Sequence, residues 1–286
     1  MARHGRSVPA LALRRPKGSD MRTILLIACA ALPVTAQNSA SAGAGFDPHD
    51  LSGHWNRTSR FQTFSNVYSG QGNRQGTEEA PLTEAGKAMF DKNKPGYGPR
   101  AVPPAVGNDP MGTCDPLGIP RLLNTEVITP HQTMEIVQTA GRMIQFFEWH
   151  HDWREVFTDG RGLPKGDELD PTWNGTSVGR WDGNVFVVDS IGFDQRTWLD
   201  KFGYPHSENM RLQERYRRVD KDTLELTMTL TDPEMYTRPW VSDTKLFRID
   251  REKSKRWDEQ IYCVPTEEYR FNQRVRDEAG GKGSGK

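Results

Sequence analysis

From residue 124 onward the chain alternates apolar and polar positions with a period of two, the mark of strands that bury one face. Along Thr223 to Thr231, Leu224, Leu226, Met228 and Leu230 share one face, and Thr223, Glu225, Thr227 and Thr229 share the other. Met210 to Val219 alternates in the same way, and Asp220-Lys-Asp222 between the two runs predicts a hairpin. Ser177 to Trp181 and Val185 to Asp189 flank Asp182-Gly183-Asn184, where glycine takes a positive φ at little cost and closes another hairpin. Thr133 to Gln138, Met143 to Trp149 and Trp153 to Phe157 also read as strands, the last two joined across His150-His151-Asp152. Lys245 to Ile249 and Glu259 to Cys263 complete the set.

The amino-terminal half follows another rule. Pro81 to Phe90 predicts a short helix, with Leu82, Ala85, Met89 and Phe90 near helical spacing and proline at its start. Residues 66–80 read as an exposed loop, and residues 94–121 are too dense in proline and glycine for any regular element. Irregular chain of that length usually covers a site or wraps a core. Short strands joined by tight turns, with one short helix, indicate an all-β fold. The expectation is a single domain over residues 50–272, an antiparallel barrel or strongly curved sheet.

The chain's ends add location. Met21-Arg22 precedes an apolar run from Thr23 to Leu32, and Val34-Thr35-Ala36 supplies the small residues of a cleavage site. Residues 1–36 therefore read as a secretory signal, with Met21 as a candidate start. The run is shorter than the ~20 apolar residues that span a bilayer. Cys29 in Leu26-Ile-Ala-Cys29 offers lipoprotein processing as an alternative. Residues 37–49 are a flexible lead-in and 273–286 a Gly-rich disordered tail. The expected location is periplasmic or extracellular, with no integral membrane segment in the mature chain.

Removing the leader changes the charge. The 286 residues hold 38 basic and 38 acidic side chains, but beyond residue 36 the count is 32 against 37. A mildly acidic surface argues against nucleic acid and against an anionic membrane as partner. Beyond the leader Cys114 and Cys263 are the two cysteines, and in an oxidising compartment they are expected to form a disulfide.

Few motifs carry chemistry. Gly175-Thr-Ser-Val-Gly179 matches G-x-S-x-G, but a strand and a hairpin follow where a nucleophile elbow needs a helix. Neither H-E-x-x-H nor a cysteine pair at ligand spacing occurs, so no metal or cofactor is expected, although Glu148 and His150 share a face if the strand continues. Glu214 lies on the apolar face of its strand with Met210, Leu212 and Tyr216. An interior carboxylate is either half of a structural ion pair, with Arg154 or Arg161 as partner, or a site residue of perturbed acidity. His206 in Tyr204-Pro-His-Ser-Glu208 is a loop histidine suited to proton transfer. Trp173, Asn174 and Trp198 border long connections where a pocket mouth would lie, and Asp159 caps a turn from which Arg161 reaches a carboxylate. Gly53-His-Trp55 matches the G-x-W that opens the first strand of lipocalin-like barrels, with Arg248 or Arg251 as the arginine that would cover the tryptophan.

Together, Asp50-Leu-Ser-Gly-His-Trp55, Pro81-Leu-Thr83, Asp159-Gly-Arg161, the run from Trp173 to Phe193, Pro205-His-Ser-Glu208, Glu214-Arg-Tyr216 and Asp232-Pro233 resemble a family of secreted bacterial proteins of largely undetermined function. Its cysteines match Cys114 and Cys263, and Asn184 departs from its usual aspartate. The resemblance implies a lipocalin-like β-barrel and no established reaction. The leading expectation is recognition of a small apolar or aromatic molecule in a barrel pocket. Acid–base chemistry of isomerase, lyase or hydrolase type would rest on His206 and Glu214, with Glu148, Arg154, Arg161, Trp173, Asn174, Tyr216 and Trp198 as ligand contacts. The alternative is a non-catalytic carrier or cell-envelope binding module.

Overall fold

The computed structural model describes residues 45–58, 64–65, 80–103, 106–124, 133–252 and 263–264. The signal segment, Cys29, most of the lead-in, the loop at 66–79, most of the strand expected at Glu259 to Cys263, and the tail lie outside these residues.

Ten strands form one sheet: β1 Gly53–Arg57, β2 Thr133–Thr139, β3 Arg142–Phe147, β4 Trp153–Phe157, β5 Thr176–Asp182, β6 Val185–Ile191, β7 Arg211–Arg218, β8 Thr223–Thr231, β9 Trp240–Val241 and β10 Lys245–Asp250. β10 pairs with both β1 and β8, so nine strands close into a barrel, and the two-residue β9 extends the far end of β8. Closure leaves little open edge, which suits a strand-rich chain in water.

The period-two pattern becomes the barrel wall. Leu224, Leu226, Met228 and Leu230 of β8 are fully buried, as are Met210 and Tyr216 from β7 and its approach. Each such aliphatic side chain contributes roughly 1.5–3 kcal/mol by leaving water. The β5–β6 turn holds Gly183 at φ 57°, as the Asp-Gly-Asn sequence predicts.

Two features differ from the expectation. β4 and β5 run parallel, pairing Val156 with Ser177 and Phe157 with Val178, so the barrel is mixed rather than wholly antiparallel. The connection over residues 158–175 is long enough to return the chain to the end from which β4 began, which parallel pairing requires. Helix α1, Glu84–Lys92, begins after Pro81, because Thr83 caps it by accepting from the Gly86 amide. It packs through Phe90, stacked on Tyr204 with ring centroids 4.5 Å apart, and through Gly86, where a Cβ would lie 2.1 Å from the Met235 carbonyl oxygen, while Ala85 and Met89 face solvent. Pro110–Thr113 forms a 3-10 turn in this proline-rich stretch, and a single turn of helix, α2 Arg121–Asn124, follows.

Trp55 is buried on β1, donates from Nε1 to the Leu51 carbonyl at 2.9 Å, and lies beneath a guanidinium at 5.5 Å, as its motif leads one to expect. The arginine is Arg218, at the end of β7, rather than Arg248 or Arg251. Register explains the difference. Trp55 pairs with Ile249, which places Arg248 on the outer face of β10, where Thr223 holds it, while Arg251 pairs with Asp222. Cys114 and Cys263 form a disulfide with Cα atoms 5.4 Å apart, spanning 149 residues. Among the described residues no helix is long and apolar enough to cross a membrane.

Candidate functional site

Among the polar side chains that parity turns inward, four meet in one hydrogen-bonded network. β7 turns Glu214 and Tyr216 inward, β4 turns Arg154 inward beside Val156, and β3 turns Gln145 inward between Met143 and Phe147. Glu214 is 0 % exposed and Arg154 4 %. The guanidinium grips the carboxylate with both ends, Nη1 to Oε1 at 2.8 Å and Nη2 to Oε2 at 2.5 Å. Arg154 Nε donates to Gln145 Oε1 at 2.6 Å, Tyr216 donates to Glu214 Oε2 at 2.7 Å, and Gln145 Nε2 donates to the Tyr216 oxygen at 3.0 Å. Both carboxylate oxygens are thus engaged, and the one amide oxygen in the network is engaged as well. Burial works against the charge of Arg154, but Glu214 beside it holds the proton on more firmly than usual. Burial, reinforced by Glu214, pushes the Tyr216 phenol well above its ordinary value.

His206 lies elsewhere. Its loop is clamped by Asp232, which accepts from the Ser207 amide at 2.6 Å and the Ser207 hydroxyl at 2.9 Å. The Ser207 carbonyl can only accept, so Nδ1 carries the proton at 2.9 Å from it, and Nε2, 2.6 Å from the Thr197 hydroxyl, shares that hydroxyl's proton with the Asp194 carbonyl at 3.1 Å. Burial pushes the pKa of the ring below its ordinary value, against the pull of the Ser207 carbonyl and Asp232. The result is a neutral, doubly bonded histidine.

The sequence candidates therefore fall into separate groups. Arg154, Glu214 and Tyr216 meet at the barrel centre. His206 and Trp173 approach one another through Thr197 and Gly118, whose missing Cβ would lie 2.4 Å from the Trp173 carbonyl oxygen and 2.8 Å from Thr197. Trp198 is packed inside, 5.6 Å beneath the Arg121 guanidinium. Glu148 is buried at the start of the β3–β4 turn, where His150 and His151 adopt φ of 56° and 53°. That left-handed turn replaces the strand on which Glu148 and His150 would share a face. Asn174 reaches the same turn, donating to Asp152 Oδ1 and the Trp153 carbonyl, both at 3.2 Å. Arg161 stays on the surface with Asp159 and takes no part in the Glu214 network. Ser177 of the G-x-S-x-G match is buried in β5 against Ser190, 2.8 Å between hydroxyls.

Sequence reasoning missed two features. Gln145 joins the centre, a residue legible only through the parity of β3. The other is a concave groove of about 450 Å³ on the outer face of β5–β8, lined by Val178, Asp189, Gln213, Thr229, Arg211 and Thr231, with Leu163 of the 158–175 connection at its side. Register assembles it: Val178, Asp189, Gln213 and Thr229 form one row across four strands, and Ile191, Arg211 and Thr231 form the next. Asp189 is tied to Arg180 and accepts from Gln213 Nε2 at 2.9 Å.

Comparison with family models, with curated proteins and with solved structures yields no match to this chain. The site must therefore be judged on its own geometry. Among the described residues no three histidine, cysteine or acidic side chains are grouped to hold a metal ion.

Proposed function

We propose that the protein is an exported, non-catalytic binding module that holds a polar small molecule or a glycan segment in the groove on the outside of its barrel. The observation that carries this reading is the engagement of Glu214. Both of its oxygens accept from Arg154 and Tyr216, three bonds that hold the interior carboxylate in a buried ion pair rather than facing a reacting group. His206 is equally committed, to Thr197 and Ser207. The groove, by contrast, presents hydroxyl, amide and guanidinium groups on rigid strands, a polar set that fits a polar ligand better than an apolar one. The leader and the long-range disulfide support export, and the resemblance to a secreted family accords with it.

The test is an amide-resolved NMR titration of the purified protein with a panel of small polar molecules and oligosaccharides. Shifts confined to the rows through Gln213 and Thr229, abolished by Thr229→Trp, are expected. Turnover of any panel member, or shifts centred on Glu214 and Tyr216, would refute the proposal.

A further inference from the structure

Among the described residues nearly every arginine is tied down. Arg121 pairs with Asp109, Arg142 with Glu155, Arg161 with Asp159, Arg180 with Asp189, Arg196 with Asp194, Arg215 with Asp182 and Arg217 with Glu225. Even Arg248 has the Thr223 hydroxyl. On the outer face of β7 the sequence of pairing breaks at one position. Arg215 and Arg217 each have a carboxylate within 3.2 Å, whereas the side chain of Arg211 makes neither an ion pair nor a hydrogen bond. Arg211 is exposed, and it is the arginine that lines the groove.

Resting on the groove reading above, we infer that the ligand is an acidic saccharide, whose carboxylate pairs with Arg211 while its hydroxyls meet Thr229, Thr231 and Gln213. The chemistry follows from what each group has left to give. A guanidinium without a partner is matched best by a planar carboxylate, which it grips with two parallel bonds. The groove's own carboxylate does not oppose this, because Arg180 neutralises Asp189 and Gln213 already donates to it. The threonine hydroxyls across the strand pairs Arg211–Thr231 and Gln213–Thr229 both donate and accept, as ring hydroxyls require. The floor is β-sheet on four adjacent strands, so these groups are held in fixed register before any ligand arrives.

The experiment compares two tetrasaccharides by NMR and calorimetry on the intact protein: one alternating glucuronic acid with N-acetylglucosamine, the other N-acetylglucosamine alone. Sodium acetate serves as the bare-carboxylate arm. The acidic tetrasaccharide is expected to shift the Gln213 and Thr229 amides and to bind at least about tenfold more tightly than the neutral one, with an advantage that shrinks in salt. Arg211→Gln is expected to erase that advantage, whereas Arg217→Gln, on the same face but paired with Glu225, leaves it intact. Arg211 is exposed and bonds to no other side chain, so the variant's melting temperature should match the parent's. Equal binding of both saccharides at the groove, unchanged in Arg211→Gln, overturns the acidic assignment and leaves the groove reading standing. Acetate binding as tightly as the acidic tetrasaccharide overturns the saccharide assignment. Failure of both saccharides to shift any groove amide overturns the inference, and groove shifts with other polar molecules then show whether the groove reading survives it.

Discussion

Removing one half of the Arg154–Glu214 pair should be far more damaging than removing both. In Glu214→Gln the guanidinium keeps its full charge at a site 4 % exposed, and the new amide offers one acceptor where two stood. Stranding a buried charge in this way costs about 3–5 kcal/mol. Arg154→Met strands the carboxylate instead, and additionally takes the donor from Gln145 Oε1, a further penalty of about 1–3 kcal/mol. Against a total stability of about 5–15 kcal/mol, either single variant approaches unfolding. In Arg154→Met/Glu214→Leu both members of the pair are gone and neither charge is stranded, and the outstanding losses are the donor to Gln145 Oε1 and the acceptor of the Tyr216 hydroxyl. The double variant should cost about 2–4 kcal/mol, well below the sum of the singles, a coupling of at least about 3 kcal/mol.

Equilibrium urea unfolding with the disulfide intact, followed by tryptophan fluorescence and circular dichroism, measures all four corners of that cycle. Tyr216→Phe, which removes one donor to Glu214 and one acceptor of Gln145, supplies a milder variant that stays folded, at about 1–3 kcal/mol. Additive single losses, or a cost under about 1 kcal/mol for Glu214→Gln, would mean that the carboxylate is not locked as the geometry shows. The argument against its acting as a base would fall with it.

Three further outcomes follow from other contacts. Burial, with Arg57 adding to it, pushes the Lys245 ammonium down to about 8 from 10.5, so between those values the unfolded chain holds a proton that the folded chain has lost. Stability should therefore rise from pH 8 to 10.5, by at most about 3 kcal/mol, and Lys245→Met should flatten that rise in pH-dependent melting. Removing the Cys114–Cys263 link, as Cys114→Ala/Cys263→Ala, frees a loop spanning 149 residues and should cost about 5 kcal/mol in urea unfolding on the chain-entropy argument. Gly86→Ala should destabilise by about 1–3 kcal/mol in the same assay, despite alanine's better helix propensity, because its Cβ would lie 2.1 Å from the Met235 carbonyl oxygen.

Much of the wall was legible because period two is a local property. Thr223 to Thr231 and Met210 to Val219 declare their faces within a few residues, and Asp182-Gly183-Asn184 declares its turn. What was not legible depends on which strand lies beside which. The choice of Arg154 over Arg161 as partner for Glu214 follows from parity on β4, where Trp153 is 52 % exposed and Arg154 is turned inward. The parallel seam between β4 and β5 depends on the path of residues 158–175, which no local pattern fixes. The helix is legible from its apolar residues, of which Phe90 packs on Tyr204, but the close approach at Gly86 exists only because Met235 lies against it. The groove is the extreme case. Its residues come from separate strands, each an ordinary polar outward position in its own run, and only register makes them neighbours.

The charged centre and the polar exterior are connected by the same geometry. Arg154 on β4 reaches across the barrel to Glu214 and Tyr216 on β7, linking two strands that are not neighbours in the sheet. Filling the centre with an ion pair also fixes register. A slip of β7 by one residue would turn Arg215 inward against Arg154 and expel Glu214, a like-charge encounter that no local repacking relieves. Because the inner face thereby sets which residues stand side by side, it also sets the outer rows, including the alignment of Arg211 with Thr231 and of Gln213 with Thr229. On the proposed reading the buried carboxylate would bear on recognition without touching a ligand, because it helps hold the strands in the register that brings an unpaired guanidinium and the threonine hydroxyls into a single groove.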